Sequence, residues 1–156
     1  MSDKPDKNLL SKEELVKTYR GLLESRNVSI FGRREILTGK AKFGLWGDGK
    51  ELAQIVLSKY IKKGDYYSGY YRDQTLFLAL GTLSVENIFA QLYGDTSEPA
   101  SGAKMLGAHA ATTFYEEGSF SCQEMTVNIA AKLGPLASQI PKAIGLGHAS
   151  KLLAMN

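Results

Sequence analysis

A helix-rich α/β chain is what the sequence predicts, and three observations carry that prediction. First, Ser residues placed as helix caps, at Ser11 and Ser84, are each followed by apolar residues at helical spacing. Second, two short segments, Tyr66–Tyr71 and Phe120–Ile129, have strand character, one tyrosine-rich and one weakly alternating. Third, a turn rich in Gly and Pro, Leu133-Gly134-Pro135-Leu136-Ala137-Ser138-Gln139-Ile140-Pro141, opens directly into another apolar helical segment.

Taken in order, residues 1–9 read as a polar, mobile tail, and residues 10–156 as one domain. Ser11-Lys12-Glu13-Glu14 forms a capping box, with Leu10 and Leu15 placed for a hydrophobic staple. The helix that follows carries Leu15, Val16, Tyr19, Leu22 and Leu23 on one face. A second helix is expected over about Ile30 to Leu37, stopping near Gly39. From Lys50, the positions Leu52, Ala53, Val56, Leu57, Tyr60 and Ile61 predict an amphipathic helix ended by Gly64. Asp73 to Leu80 predicts a short helix ended by Gly81. Ser84 caps a helix with Val85, Ile88, Phe89 and Leu92, and Gly94 follows it. Residues 95–118 lose periodicity and read as a long functional or disordered loop. In the last segment Ser138 is placed to cap, and Pro141 falls in the first turn, where its missing N–H costs little.

Composition bounds the function classes. The 156 residues are 44% apolar and 22% charged, with 19 basic against 16 acidic side chains, which suits a globular protein with a sizeable core. A net charge of +3 is too balanced to imply nucleic acid as a partner. No apolar run is long enough to span a bilayer, and Met1–Lys7 has no apolar signal core, so a cytoplasmic protein without a membrane partner is expected. A single cysteine, Cys122, rules out an intramolecular disulfide and reads as a packed small hydrophobe rather than a nucleophile.

Two stretches point to chemistry. In Gly69-Tyr70-Tyr71-Arg72-Asp73, the planar fork of Arg72 suits bidentate binding of phosphate oxygens, and Tyr71 adds a hydroxyl. The bland alternative is a solvated Arg72 paired with Asp73, which would contribute little. The second stretch is the Gly134–Pro141 turn. Its bland reading is a capped core helix, with Gln139 bonding a neighbouring backbone group.

Together, Tyr71-Arg72-Asp73 and Gly134-Pro135-Leu136-Ala137-Ser138-Gln139-Ile140-Pro141 resemble the alpha subunit of the thiamine-diphosphate-dependent 2-oxo acid dehydrogenases. The likeness runs from about Leu10 to the last residue and suits branched-chain 2-oxo acids slightly better than pyruvate. It implies that this chain is the helix-rich N-terminal part of an open parallel-sheet fold with helices on both faces. It implies thiamine diphosphate as cofactor, with Tyr71 and Arg72 at the diphosphate, Leu136 near the aminopyrimidine, and Gly134 where relatives often carry a contacting Ser. It implies a monovalent cation, potassium in some relatives, at the carbonyls of Leu133 and Pro135, the Ser138 hydroxyl and the Gln139 amide oxygen. It implies oxidative decarboxylation of a 2-oxo acid, with a beta subunit that carries the catalytic glutamate and a lipoyl-bearing acyltransferase that takes the acyl group. No catalytic residue is therefore named on this chain.

Two departures accompany the resemblance. The family's magnesium motif, Gly-Asp-Gly followed by Asn, would lie beyond Asn156. Gly47-Asp48-Gly49 spells the tripeptide but precedes the Tyr-Arg turn, and fits a Gly-x-Gly-x-Glu segment running to Glu51. Gly102–His109 only partly matches a Gly-Arg-Gln-Met-x-x-His pattern, with Ala103 in place of the Arg and one residue inserted before His109. His148 reads as structural. A truncated sheet exposes an apolar edge, so homo-oligomerisation or dependence on further chain is expected. The rival reading is a non-enzymatic helical domain that binds a protein through Tyr66, Tyr67, Tyr70 and Tyr71. An anion- or nucleotide-binding module is the third, and the position of Gly145-Leu146-Gly147 inside a helix argues against it.

Overall fold

Five helices and two short strands make up the computed structural model, which describes residues 10–97, 126–131 and 134–153. The expected tail (1–9), most of the 95–118 loop, Ala103, His109, Cys122 and Leu133 lie outside the described residues.

The first helix, α1 (Lys12–Leu37), begins as its sequence dictates. The Ser11 hydroxyl accepts the Glu14 N–H at 3.2 Å, and the Glu14 carboxylate accepts the Ser11 N–H at 3.0 Å. Glu14 is held below the ordinary carboxylate range by these bonds from Ser11. The expected break before Ile30 is absent, and α1 is one helix of 26 residues. Nothing in Ser25–Ser29 forces a stop. Asn27, a residue that often favours turns, instead donates back to the Leu23 carbonyl within the helix at 2.8 Å.

The buried face of α1 also differs from the expected one. Ser25, Val28, Ser29 and Gly32 are buried, whereas Leu15, Val16, Tyr19 and Leu23 are exposed. Small residues let neighbours come close. The Trp46 ring lies against Gly32, and the Ile55 side chain against Gly21. Ser25 Oγ and Thr75 Oγ1 share a buried hydrogen bond of 2.6 Å, which satisfies both hydroxyls.

α2 (Glu51–Ser58) is shorter than expected and turns a different face inward. Glu51, Gln54 and Ile55 are buried, while Leu52, Val56, Leu57 and Tyr60 are exposed. Arg26 of α1 donates to the buried Glu51 carboxylate at 2.6 Å, and that bond holds Glu51 below the ordinary carboxylate range. Arg33 pairs with Asp48 in the connecting segment.

β1 (Tyr66–Tyr67) runs parallel to β2 (Asn128–Ile129), with Tyr66 opposite Asn128 and Tyr67 opposite Ile129. Both expected strand segments thus contain a strand, each of two residues. α3 (Gln74–Leu80) ends at Gly81 with φ 70°, and α4 (Val85–Tyr93) ends at Gly94 with φ 72°. Positive φ is the left-handed conformation that favours glycine at a helix end. Ser84 and Asn87 close a reciprocal cap at the start of α4.

Val28, Leu76, Phe77, Leu83, Ile88 and Ile129 form the core. Tyr67 meets Phe77 edge to face, with centroids 6.2 Å apart. An isolated two-stranded sheet is marginal in water, so this packing is what holds the β1–β2 pair. α5 (Gln139–Leu153) has none of its residues buried, and Ile140, Ile144, Leu152 and Leu153 are exposed. No helix among the described residues is long and apolar enough to cross a membrane.

Candidate functional site

The two parallel strands end on the same side, and both sequence motifs leave from those ends. β1 ends at Tyr67, and Tyr70–Asp73 forms the next turn. β2 ends at Ile129, and the Gly134–Ser138 turn follows. Arg72 and Gly134 each stand five positions past the last residue of their strand. In open α/β sheets, ligands bind at the carboxyl ends of the strands. A direct tie joins the two segments. Ser68 Oγ donates to the Gln139 carbonyl at 3.0 Å. Lys142 Nζ donates to the Ala131 carbonyl, fastening the start of α5 to the end of β2.

Arg72 is exposed and has no carboxylate partner among the described residues. Its guanidinium lies 5.7 Å from the centroid of the Tyr71 ring, and the Tyr71 ring stacks at 3.9 Å on that of Tyr70. The expected alternative, an Arg72–Asp73 surface pair, does not form. Asp73 turns inward and is 8% exposed. Its Oδ2 accepts the Tyr70 N–H at 2.6 Å and the Tyr67 hydroxyl at 2.9 Å, and its Oδ1 accepts from Gln54 Nε2 at 3.2 Å. Three donors satisfy the buried carboxylate, so it has no need of the guanidinium. Burial, with Asp73 beside it, pushes the Tyr67 phenol well above its ordinary value.

Tyr70 and Tyr71 share a hydrogen bond between hydroxyls, which pushes the Tyr70 phenol up. One hydroxyl of such a pair keeps a hydrogen to donate outward. The turn thus presents a free guanidinium and a phenol donor at one edge of the sheet, an arrangement able to bind a phosphate-bearing ligand.

In the second turn, Gly134, Pro135 and Leu136 are exposed, and Ser138 and Gln139 are half-buried. Ala137 has φ 64°, the left-handed region that a residue with a Cβ rarely adopts. The expected Ser138 cap does not form: the hydroxyl has no hydrogen-bond partner among the described residues. The donor an N-cap uses most is three residues on, and here that residue is Pro141, which has no N–H. Ile140 N–H bonds the Ala137 carbonyl at 3.0 Å instead, and Ser138 N–H bonds the Pro135 carbonyl at 3.3 Å. The Ser138 hydroxyl and one lone pair of the Pro135 carbonyl are left available to a ligand.

Asp48 of Gly47-Asp48-Gly49 is held by Arg33, with Arg26 at 4.0 Å, and no cluster of metal-ligating side chains occurs among the described residues. Gly47 has another use. A Cβ there would stand 2.9 Å from Gln74 Oε1 and closer still to the Arg72 carbonyl oxygen, so this glycine lets the segment pack against the Tyr-Arg turn. Gln54 is not marked by the sequence as a site residue; Tyr67 is marked there only for the rival protein-binding surface, and Gly47 only as part of the Gly-Asp-Gly tripeptide. The available signal is a polar residue, Gln54, in phase with Ile55 and Ser58 on an otherwise apolar helix.

Comparison with known proteins gives a family match and a relative. The chain is 25% identical over 142 residues to the mouse (Mus musculus) mitochondrial 2-oxoisovalerate dehydrogenase subunit alpha. That match covers 91% of this chain and 29% of the relative, so the chain spans under a third of that protein's length. The family model of the dehydrogenase E1 component matches residues 25–153, which takes in both turns and every element from the second half of α1 onward. The chain belongs to the dehydrogenase E1 component family.

Proposed function

We propose that this chain is part of the alpha subunit of a thiamine-diphosphate-dependent 2-oxo acid dehydrogenase. Its Tyr71 and Arg72 bind the cofactor's diphosphate. The observation that carries the reading is Arg72 itself, exposed, free of a carboxylate among the described residues, and set in the turn that follows the carboxyl end of β1, a segment tied to the second turn through Ser68 and Gln139. These residues fit the group: a planar cation and a phenol donor match diphosphate oxygens. Gly134 and Leu136, both exposed on the second turn, contact the rest of the cofactor. Pro135, Ser138 and Gln139, with Leu133, offer oxygens to a monovalent cation such as potassium, which as a hard ion wants them. Magnesium accompanies the diphosphate.

When bound, thiamine diphosphate supplies the carbanion-stabilising chemistry that decarboxylates a 2-oxo acid. This chain's residues bind and orient it. The substrate is a branched-chain 2-oxo acid or pyruvate, and the mouse relative's name, 2-oxoisovalerate dehydrogenase, favours the former. A beta subunit completes the site, and a lipoyl-bearing acyltransferase takes the acyl group. The exposed apolar side chains of α5 suit packing against such a partner, since an exposed apolar patch commonly marks an interaction surface. The location carried with this reading is the cytoplasm, although the mouse relative is mitochondrial.

Calorimetric titration of thiamine diphosphate with magnesium tests the reading, on the chain alone and with its beta subunit. Binding in the assembled form that falls at least tenfold in Arg72→Ala is expected. No binding in either form, or a silent Arg72→Ala, would sink the cofactor assignment.

A further inference from the structure

Gln54 sits on α2, 7% exposed, eighteen residues before Arg72. Its side-chain amide makes three bonds across the Tyr-Arg turn. Nε2 donates to the Arg72 carbonyl at 3.0 Å and to Asp73 Oδ1 at 3.2 Å, while Oε1 accepts the Leu76 N–H at 3.1 Å. On the other side of the turn, Asp73 Oδ2 takes the Tyr70 N–H. The Tyr71-Arg72 pair is therefore pinned at both ends by buried groups, and neither pin touches the Arg72 guanidinium.

The pattern of donors and acceptors selects the residue. Two of the three partners are acceptors and one is a donor, so the side chain must carry both an NH₂ and a C=O. An apolar residue would leave the Leu76 N–H and the Arg72 carbonyl without this amide, and an ionised carboxylate would stand as a second one against Asp73. A free surface glutamine loses several rotatable bonds of freedom to be held this way, and the three bonds offset that cost only if all are made together.

We propose that Gln54 is a positioning residue for the diphosphate site. Through the Arg72 carbonyl and the Asp73 carboxylate it fixes the direction in which the Arg72 guanidinium is presented. The proposal rests on the reading of Arg72 as a diphosphate contact, and it adds a requirement that this reading does not make. A fixed backbone spares the guanidinium part of the ordering that ligand binding otherwise demands.

A double-mutant cycle on the assembled enzyme, with thiamine diphosphate and magnesium as the probe and Kd by calorimetry as the readout, tests it. The variants are Gln54→Leu, Arg72→Ala and the double. Gln54→Leu should weaken binding by about tenfold, and by less than about twofold once Arg72 is already Ala, because interacting groups fail to add. Gln54→Glu gives a second readout that survives if Gln54→Leu does not assemble. Protonated, the introduced carboxyl group offers one donor and one acceptor and partly replaces the amide; ionised, it repels Asp73. The Kd of this variant relative to the natural protein's at the same pH should approach one near pH 5 and exceed about tenfold at pH 8. A silent Arg72→Ala overturns the diphosphate reading, and the inference with it. If Arg72→Ala weakens binding, three results overturn the inference alone: a silent Gln54→Leu, losses that multiply in the double variant, or a Gln54→Glu ratio that does not change with pH.

Discussion

Gly32 and Gly145 both lie inside helices, and the structure predicts opposite results for the same change at the two positions. Alanine in place of a helix-interior glycine gains about 0.8–1 kcal/mol where space is open. At Gly145 a Cβ would meet nothing within 4 Å, so the gain is available. At Gly32 a Cβ would stand 2.7 Å from Cζ3 of Trp46, with two further ring atoms nearer still. Carbon atoms pack at about 3.5–4.0 Å, so the indole must shift by about an ångström or more. The indole also packs near Gly44, whose own Cβ would stand 3.0 Å from the ring and 2.8 Å from Ile36, so there is little room to move into. Overpacking of this kind costs about 1–3 kcal/mol and exceeds the propensity gain.

Net of the propensity gain, up to about 2 kcal/mol remains, so Gly32→Ala should lower the melting temperature by up to about 8 °C, at roughly 2–4 °C per kcal/mol for a chain of this size. Trp46 is the only tryptophan, so its emission reports the displacement directly. Gly145→Ala should raise helical circular dichroism and leave the Trp46 emission unchanged. Gly21→Ala lies between the two, because its Cβ would meet only the flexible Ile55 Cδ1 at 3.2 Å, and the expected effect is near zero. A Gly32→Ala variant as stable as the natural chain, with unaltered emission, would refute the claim that α1 packs through its small residues.

Three further outcomes are expected. Glu51 is held below its ordinary value near 4.5 by the Arg26 hydrogen bond, so its stabilising effect is present above that pH and is lost as pH falls through the depressed value. The stability gap between the natural chain and Glu51→Gln should then be constant from pH 7 to 5 and close in stronger acid; urea melts at pH 7, 5 and 3 showing a gap that widens in acid would contradict this. Phe77 is fully buried between Tyr67 and the core, so Phe77→Ala should cost about 3–5 kcal/mol in denaturant melts, and a loss under about 1 kcal/mol would place the core elsewhere. Ala137 at φ 64° should accept Gly with little change and resist Val, whose branched side chain is poorly suited to that conformation; equal amide exchange in α5 for both variants would deny the strain.

What is legible in the sequence is local. The Ser11 box, the Ser84 cap and the terminating glycines at 81 and 94 each depend on a few neighbouring residues, and each is found as read. The faces are not legible. Counting apolar residues on α1 and α2 selects Leu15, Tyr19, Leu52 and Val56, which are exposed, because the contacts inside the chain run through Gly, Ser, Gln and Glu. Ser138 reads as a cap from its type and place, and one residue, Pro141, removes the donor it needs. Asp73 reads as the partner of its neighbour Arg72, yet its partners include Gln54, nineteen residues away, and no spacing rule reveals that pairing.

The same contrast explains how Arg72 can be exposed while the backbone of its turn is bonded inward. Exposed loops owe most of their mobility to backbone groups bonded only to water. Here the backbone on either side of half-buried Tyr71 and exposed Arg72 is bonded inward, at Tyr70 N–H, the Arg72 carbonyl and Leu76 N–H. Those bonds come from Gln54 and Asp73, which the core buries because Leu76 and Phe77 follow directly in α3 and fill it. The order of the turn is thus supplied by the first turn of α3 and by α2, neither of which needs the ligand to be present. A turn held this way keeps its shape without a ligand, whereas the positive φ of Ala137 lies in the other turn, where the Ser68–Gln139 and Lys142–Ala131 bonds tie the start of α5 to the strands. Of the two turns, the second is therefore the one whose geometry should respond to a bound cation or cofactor, while the Tyr-Arg turn stays fixed.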